Sequence, residues 1–349
     1  MIAEIRLQQY RSYKDKTFKF TSGVNIVVGP NASGKTNLLE AVMVVCQGGS
    51  YRAPDNELIM HQKDWARIDA KTDNEARTVK LTSNPKQNKE FVINNKKTKQ
   101  LGISNQIPIV LFEPNHLLIL SGSPELRRNY LDGILELIKP GYKKTKKDYV
   151  KTLRQRNFLL KSGRAKYQSE LFPWNVRLSH LGGFIAASRH ELTQTLNKDI
   201  NQAYDHLSNN KDKISLTYKS TVDLGAYESL LLKKLEADYE LDLLRGFTAR
   251  GPHREDLEVL INNKQPTLSA SRGENRSITI ALKTLEHDII KKSTNQSPII
   301  LLDDVFSELD ENRSQQLTSL IKNSQTIITS TSVNSIKKLK TNQVIKTTK

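Results

Sequence analysis

Gly29-Pro30-Asn31-Ala32-Ser33-Gly34-Lys35-Thr36 decides the fold. The stretch reads G-x-x-x-x-G-K-T, with the apolar run Val24-Asn25-Ile26-Val27-Val28 before it and a helix-period segment, Asn37 to Cys46, after it. That is the strand, loop and helix context of a phosphate-binding loop. The glycines let backbone N–H groups turn toward a phosphate, and Lys35 reaches the β- and γ-phosphates. Thr36 offers a hydroxyl to Mg²⁺ at the positive end of the new helix. Gly29, Pro30, Asn31, Ala32, Ser33, Gly34, Lys35 and Thr36 are therefore the expected ATP-binding residues.

A second stretch completes such a site. Ile299-Ile300-Leu301-Leu302-Asp303-Asp304 is an apolar strand that ends in two carboxylates. A carboxylate at a strand tip beside the loop holds Mg²⁺, usually through water. Asp303 and Thr36 are the expected metal residues, and Asp304, free to polarise the attacking water, is the expected catalytic acid beside Lys35. Ser307-Glu308-Leu309-Asp310 then leads into a helix ending near Asn323.

Composition narrows the partners. The 349 residues can bury a substantial core, and the formal charge of +17 predicts attraction to polyanions. The lysines are spread widely, with a denser stretch at Lys139, Lys143, Lys144, Lys146, Lys147, Lys151 and Arg154. The single cysteine, Cys46, excludes a disulfide framework or cysteine metal site and fits a reducing cytosol. There is no long apolar segment near Met1 and no run of about 18 apolar residues. The expectation is a cytoplasmic protein with no membrane partner.

Along the chain, residues 2 to 28 alternate as strands do, and Gly48-Gly49 ends the helix after the loop. Strand signals follow at Ala66 to Ala70, Thr78 to Thr82 and Phe91 to Ile93, with a hairpin turn at Asn94-Asn95; Ile107 to Phe112 reads as a buried strand. From Pro124 the pattern becomes helical. Phe172-Pro173-Trp174 reads as punctuation before a core stripe, Leu178, Leu181, Ile185, Leu192, Leu196, Ala203 and Leu207, and Leu230 to Leu244 is helical. Strands return after Phe247. The expected division is 1–123 and 245–349 as one α/β lobe, with 124–244 inserted as a helical lobe.

Ser269-Ala270-Ser271-Arg272-Gly273-Glu274 places serine and glycine where a long helix, Asn275 to Lys292, begins. That is a second phosphate-binding helix start, and the nucleotide already has one, so the second is expected to act in trans. This order of motifs resembles the ABC-type P-loop ATPase head, an α/β fold with an inserted, mostly helical second lobe. The resemblance makes Ser271, Arg272, Gly273 and Glu274 the signature, Asp303 the Walker B acid, Asp304 the catalytic acid, and Ser307 to Asp310 the D-loop. Asp310 thereby joins the nucleotide-binding residues.

Within that superfamily the chain resembles the RecF family, related to SMC heads. The residues that carry the resemblance are Gly29 to Thr36, Gly122-Ser123-Pro124 with Arg127-Arg128 and Leu131-Asp132, Arg250 to Leu257, Ser269 to Arg276, and Leu302 to Asp310. It implies an ATP- and Mg²⁺-dependent clamp that dimerises on ATP and binds double-stranded, gapped or junction DNA at the nucleoid. It further implies partnership with RecR and RecO in exchanging single-strand-binding protein for recombinase, and a weak DNA-stimulated ATPase. Asp304 stands where many ABC proteins carry glutamate, no switch histidine follows Thr329-Ser330-Thr331-Ser332, and Glu113 or Asn115 occupies the Q-loop neighbourhood. Slow hydrolysis is the consequence expected. The alternative from another class is the nucleotide-binding subunit of a membrane transporter, whose helical insertion is usually shorter than the span from Thr36 to Ser269.

Overall fold

The computed structural model describes residues 1–162, 168–207, 212–266, 271–321, 324–332 and 342–347. The chain forms two compact units, Met1–Leu117 with Glu286–Lys349, and Leu118–Leu285.

The first unit contains two sheets among the described residues. Strands β1 (Ile2–Tyr10), β2 (Tyr13–Lys19), β4 (Trp65–Thr72), β5 (Ala76–Thr82), β6 (Asn88–Ile93) and β7 (Lys96–Thr98) form an antiparallel sheet in the order β2-β1-β4-β5-β6-β7. Asn94 and Asn95, at φ 45° and 66°, turn β6 into β7, because asparagine tolerates the left-handed region that a tight hairpin needs. Strands β3 (Val24–Val28), β8 (Ile109–Phe112), β11 (Ile299–Asp303), β12 (Thr326–Ser330) and β13 (Gln343–Lys346) form a parallel sheet, ordered β13-β3-β12-β11-β8. Helix α1 (Lys35–Gln47) touches β4 and β5 of one sheet and β8, β11 and β12 of the other. Coverage on both faces explains why its sequence from Leu38 to Cys46 is apolar but for Glu40: Leu38, Leu39, Val42, Val44 and Cys46 are fully enclosed in a core shared with Ile5, Ile68, Leu301 and Ile327. Gly48, at φ 86°, ends it with a left-handed cap.

The second unit is built from helices α2 (Pro124–Ile138), α3 (Tyr142–Lys161), α4 (Gln168–Asp205), α5 (Tyr227–Ala237) and α6 (Tyr239–Arg245) with a two-stranded antiparallel ribbon of β9 (Ile214–Lys219) and β10 (Asp256–Ile261). Helix α4 is the spine, touching α2, α3, α5 and β9. Its stripe is core: Leu178, Ile185, Leu192 and Leu196 are buried, as is Ile200 beside them, while Leu181 and Ala203 are only half-buried and Leu207 is buried past the end of the helix. Phe172-Pro173-Trp174 does not break the chain. Pro173 lies within α4, close enough to its start that one lost N–H bond is outweighed by the packing of the long helix that follows.

The division differs from the one expected. Residues 245–285 group with the helical unit rather than with the α/β lobe, because β10 closes a ladder with β9, from Asp256 opposite Lys219 to Ile261 opposite Ile214. The chain leaves that unit inside helix α7 (Arg272–Thr294), and α8 (Glu311–Ile321) follows in the first unit.

One buried cation organises the helical unit. Arg156 is fully enclosed and donates to Asn175 Oδ1, Asp242 Oδ2 and Thr248 Oγ1, each at 2.7 Å, tying α3 to α4 and α6. Asp242 is equally enclosed, so removing its cation strands a buried carboxylate. Arg156→Ala is expected to destabilise the protein by about 3–5 kcal/mol, while replacing Arg156 and Asp242 together with leucines costs far less. Urea unfolding followed by circular dichroism measures both; a loss below about 1 kcal/mol for Arg156→Ala would place the pair among weak surface bridges.

Candidate nucleotide site

The loop between β3 and α1 is held by close contacts that leave no room for side chains. Gly29 N–H donates to Ser330 O at 3.3 Å, and a Cβ on Gly29 would stand 2.2 Å from Thr347 Oγ1. Thr347 follows β13 and shares a 2.8 Å hydrogen bond with Ser33 Oγ, so the loop is braced from the far end of the chain. Ala32 and Gly34 adopt φ 64° and 92°. At Gly34 a Cβ would meet the Tyr13 hydroxyl at 2.7 Å, which makes glycine necessary on both conformational and steric grounds. Pro30, Asn31 and Ala32 are exposed at the rim, whereas Ser33 and Gly34 are buried.

Lys35 is only 5% exposed, and its ammonium donates to Gly29 O at 2.9 Å and Pro30 O at 3.1 Å, spanning the loop. Thr36 and Asp303 meet directly, with Thr36 Oγ1 donating to Asp303 Oδ1 at 3.1 Å; Thr329 Oγ1 donates to the same oxygen at 2.7 Å. Sheet register explains the meeting. Asp303 stands opposite Thr329 and Thr329 opposite Val27, so the ends of β11, β12 and β3 lie level at the carboxyl edge, where open parallel sheets bind ligands. A hydroxyl and a carboxylate in contact beside a glycine loop are the hard oxygen donors that suit Mg²⁺.

Asp304 takes the left-handed conformation at φ 51°, and its N–H donates to Thr329 Oγ1 at 3.0 Å. Its carboxyl is shifted above the ordinary aspartate range, first by burial and then by Asp303, against the opposing pull of Lys35. A non-glycine residue in that region carries backbone strain of the kind found at functional sites. Asp310 caps α8, accepting from Arg313 N–H at 3.0 Å and pairing with the Arg313 guanidinium. In the second unit, Ser271 and Glu274 form a reciprocal cap on α7: Ser271 N–H donates to Glu274 Oε2 at 2.7 Å, and Glu274 N–H to Ser271 Oγ at 3.2 Å. Because Oγ accepts in this cap, the serine proton remains available to donate. Gly273 lies in the first turn; Ser269 and Ala270 lie outside the described residues, as does the Arg272 side chain.

Several features escape sequence reading. Arg11 makes a bidentate pair with the fully buried Glu40 of α1, both bonds 2.9 Å, which locks the turn between β1 and β2 against the helix. Asn37 donates to Ser12 Oγ at 3.0 Å. Arg11, Ser12 and Asn37 line a cleft of about 670 Å³ that also takes in Ile59, Met60 and Lys63. Tyr51 presents a buried hydroxyl whose pKa is raised by burial and then by Asp303 and Glu113; of the Q-loop candidates, Glu113 thus lies in the electrostatic reach of the same group as Asp303. None of these residues stands in a local motif, and only the threonine and glutamate chemistry of the neighbourhood hints at them.

A family profile described as RecF/RecN/SMC N terminal domain matches residues 1–349. The DNA replication and repair protein RecF of Ruminiclostridium cellulolyticum is 34% identical over 344 residues, 95% of this chain and 92% of its own. The chain belongs to the RecF family. Among solved structures, the recombination mediator protein RecF-ATPrS of the RecFOR pathway superposes with a TM-score of 0.88 at 30% identity, covering 99% of this chain and 95% of that one. RecF-ATP of the same pathway gives 0.82 at 29% identity, covering 95% and 92%. An SMC head bound to the C-winged helix domain of ScpA gives 0.50 at 16% identity, covering 94% and 89%, a likeness of fold alone. The fold is that of a RecF and SMC ATPase head, α/β with a helical lobe. RecF membership sets aside the transporter subunit, and no described helix is long and apolar enough to cross a membrane.

Proposed function

We propose that this RecF-family chain is an ATP-dependent DNA-binding protein of gap and recombinational repair. It dimerises on ATP as a clamp on double-stranded, gapped or junction DNA and helps RecR and RecO load recombinase. The observation that carries the reading is the contact of Thr36 with Asp303 beside the Gly29–Thr36 loop, in a chain whose relatives are named for DNA replication and repair.

Within it, Gly29 to Thr36 cradle the phosphates of ATP, Lys35 faces the β- and γ-phosphates, and Thr36 with Asp303 hold Mg²⁺. The metal's contribution when bound is to neutralise phosphate charge. Asp304 orients the attacking water, and its raised pKa suits a group that takes up a proton more readily than an exposed aspartate. Ser271, Arg272, Gly273 and Glu274 of one protomer close over the nucleotide of the other, with Asp310 at the same junction. Weak, DNA-stimulated hydrolysis is consistent with aspartate in place of glutamate and with serine and threonine after β12. The cleft by Arg11, Ser12 and Asn37 suits the base and ribose.

The charge of +17 predicts sequence-independent binding dominated by phosphate contacts. Affinity for gapped DNA is expected to fall roughly a thousandfold between about 50 and 200 mM salt. Fluorescence anisotropy with ATP present tests this, and an affinity that stays level across that range would remove nucleic acid as the partner.

A further inference from the structure

The two arginine-rich motifs of the helical unit divide their charges unequally. In Arg127-Arg128, Arg127 is consumed by structure: it makes a bidentate pair with Asp256 at 2.8 and 2.7 Å and donates to Ile119 O and Gly122 O. In Arg250-Gly251-Pro252-His253-Arg254-Glu255-Asp256, nearly every polar side chain is consumed likewise. Arg250 pairs with Asp238 at 2.9 Å. His253 accepts from the Tyr149 hydroxyl at Nδ1, 2.7 Å, and donates from Nε2 to Thr248 O at 3.0 Å, and burial lowers its pKa to about 4, so it is a neutral brace. Gly251, at φ 118°, would place a Cβ 2.6 Å from the Tyr149 hydroxyl, so the turn admits only glycine.

Glu255 is the decisive residue. It is 1% exposed, and hydroxyls and an amide hold its carboxylate: Tyr218, Tyr227 at 2.7 Å, Ser220 and the Thr221 N–H at 3.1 Å, and the Thr221 hydroxyl at 3.0 Å. The acid next to Arg254 in sequence is thereby withdrawn from both arginines. Arg128 donates only to the Glu255 carbonyl, at 2.9 Å, and Arg254 lies over the Phe247 ring at 4.7 Å; neither has an ion pair among the described residues. Of the three acids acting on Arg128 through space, Asp256 and Asp132 are already held by Arg127 and Arg189, and the third, the exposed Glu125, makes no ion pair with it among the described residues. Arg128 is half-buried, and desolvation lowers its pKa. A partly buried guanidinium without a carboxylate is costly unless an anion completes it. Its anchor on the Glu255 carbonyl ties it to the residue that follows Arg254, and both guanidiniums act through space on His253, as the buried Arg156 does.

We propose that Arg128 and Arg254 form a phosphate clamp that takes two neighbouring phosphodiesters of the nucleic-acid backbone, one for each guanidinium. Planar guanidiniums on a braced turn match phosphate oxygens in bidentate fashion, and the surrounding hydrogen bonds hold them in place before the ligand arrives. This inference rests on the DNA-binding reading above, and it places a contact on the Gly251-Pro252-His253 turn, whose own residues serve only to hold it.

The test is a salt series of gapped-DNA anisotropy with wild type, Arg254→Ala, Arg128→Gln and the double variant. Arg128→Gln keeps an N–H for the Glu255 carbonyl, and unchanged ATP affinity and thermal midpoint control for folding. Each single variant is expected to weaken binding about tenfold irrespective of sequence, and the double variant to shallow the salt slope by about two. Arg254→Lys, which retains charge, is expected to keep most of the slope. A wild type that fails to bind DNA overturns the DNA-binding reading itself. DNA binding by wild type with an unaltered slope in the double variant overturns the clamp alone, as does a loss confined to a polyglutamate probe.

Discussion

Lys35→Ala is expected to weaken ATP binding at least a hundredfold and to abolish ATP-dependent retention on DNA. Lys35 is 5% exposed; its ammonium donates to the carbonyls of Gly29 and Pro30 and feels Asp304 through space, with no ion pair to a carboxylate among the described residues. Charge-assisted hydrogen bonds to phosphate are each worth about 1.5–3 kcal/mol, and a buried cation without a paired carboxylate gains much from an arriving anion. Alanine removes that gain and leaves the two carbonyls without their donor, so the loop loses both its charge and part of its brace. The remaining braces are independent of Lys35: Thr347 on Ser33, Ser330 on Gly29 and Thr36 on Asp303. The variant should therefore fold, with a thermal midpoint near that of the parent. Calorimetric titration with ATP and DNA retention on a filter measure the two effects. Normal nucleotide-stimulated retention by a folded Lys35→Ala protein would remove the loop from the mechanism.

What could be read from the sequence was local in origin. Gly29 to Thr36 announces itself because glycines, a lysine and a hydroxyl at fixed spacing meet a need that a single loop satisfies. Asp303 is legible because an apolar run ending in acid becomes a strand tip, and parallel register then levels it with Val27 through Thr329. The features that remained hidden are those for which topology brings distant residues together. Ser33 and Thr347 are separated by 314 positions, and Arg11 and Glu40 by 29 across two elements. The ladder of β9 with β10 likewise leaves no periodic trace spanning the helices between its strands, which is why residues 245–285 read as part of the other lobe. Pro173 misled for a related reason: a local breaker near a helix start is overruled by the many contacts of the α4 spine.

The second large effect concerns the lifetime of an ATP dimer. If Ser271 and Gly273 of one protomer bind the γ-phosphate held by the other, the dimer persists only while that phosphate is present, and hydrolysis becomes its release step. Asp304→Asn keeps the shape of the side chain but cannot accept a proton from water, so ATP binding is expected to persist while hydrolysis slows about a hundredfold or more. Dimer lifetime should lengthen in step. Ser271→Arg acts in the opposite direction: it removes the cap shared with Glu274, at a cost of about 1 kcal/mol, and places bulk and charge at the helix start. Monomer ATP binding should survive, because the Gly29–Thr36 loop belongs to the first compact unit and Ser271 to the second. Mixing Ser271→Arg with Lys35→Ala supplies the control. In a mixed dimer one site joins an intact loop to an intact Ser271, and the other has neither, so size-exclusion chromatography with ATP should show partial rescue of the dimer. Wild-type dimerisation by Ser271→Arg alone would mean that the start of α7 does not close the nucleotide site in trans. The arithmetic of rescue then separates the two causes of failure: a misfolded Ser271→Arg chain rescues nothing, whereas a folded chain blocked only at its own Ser271 contributes a working loop to every mixed pair.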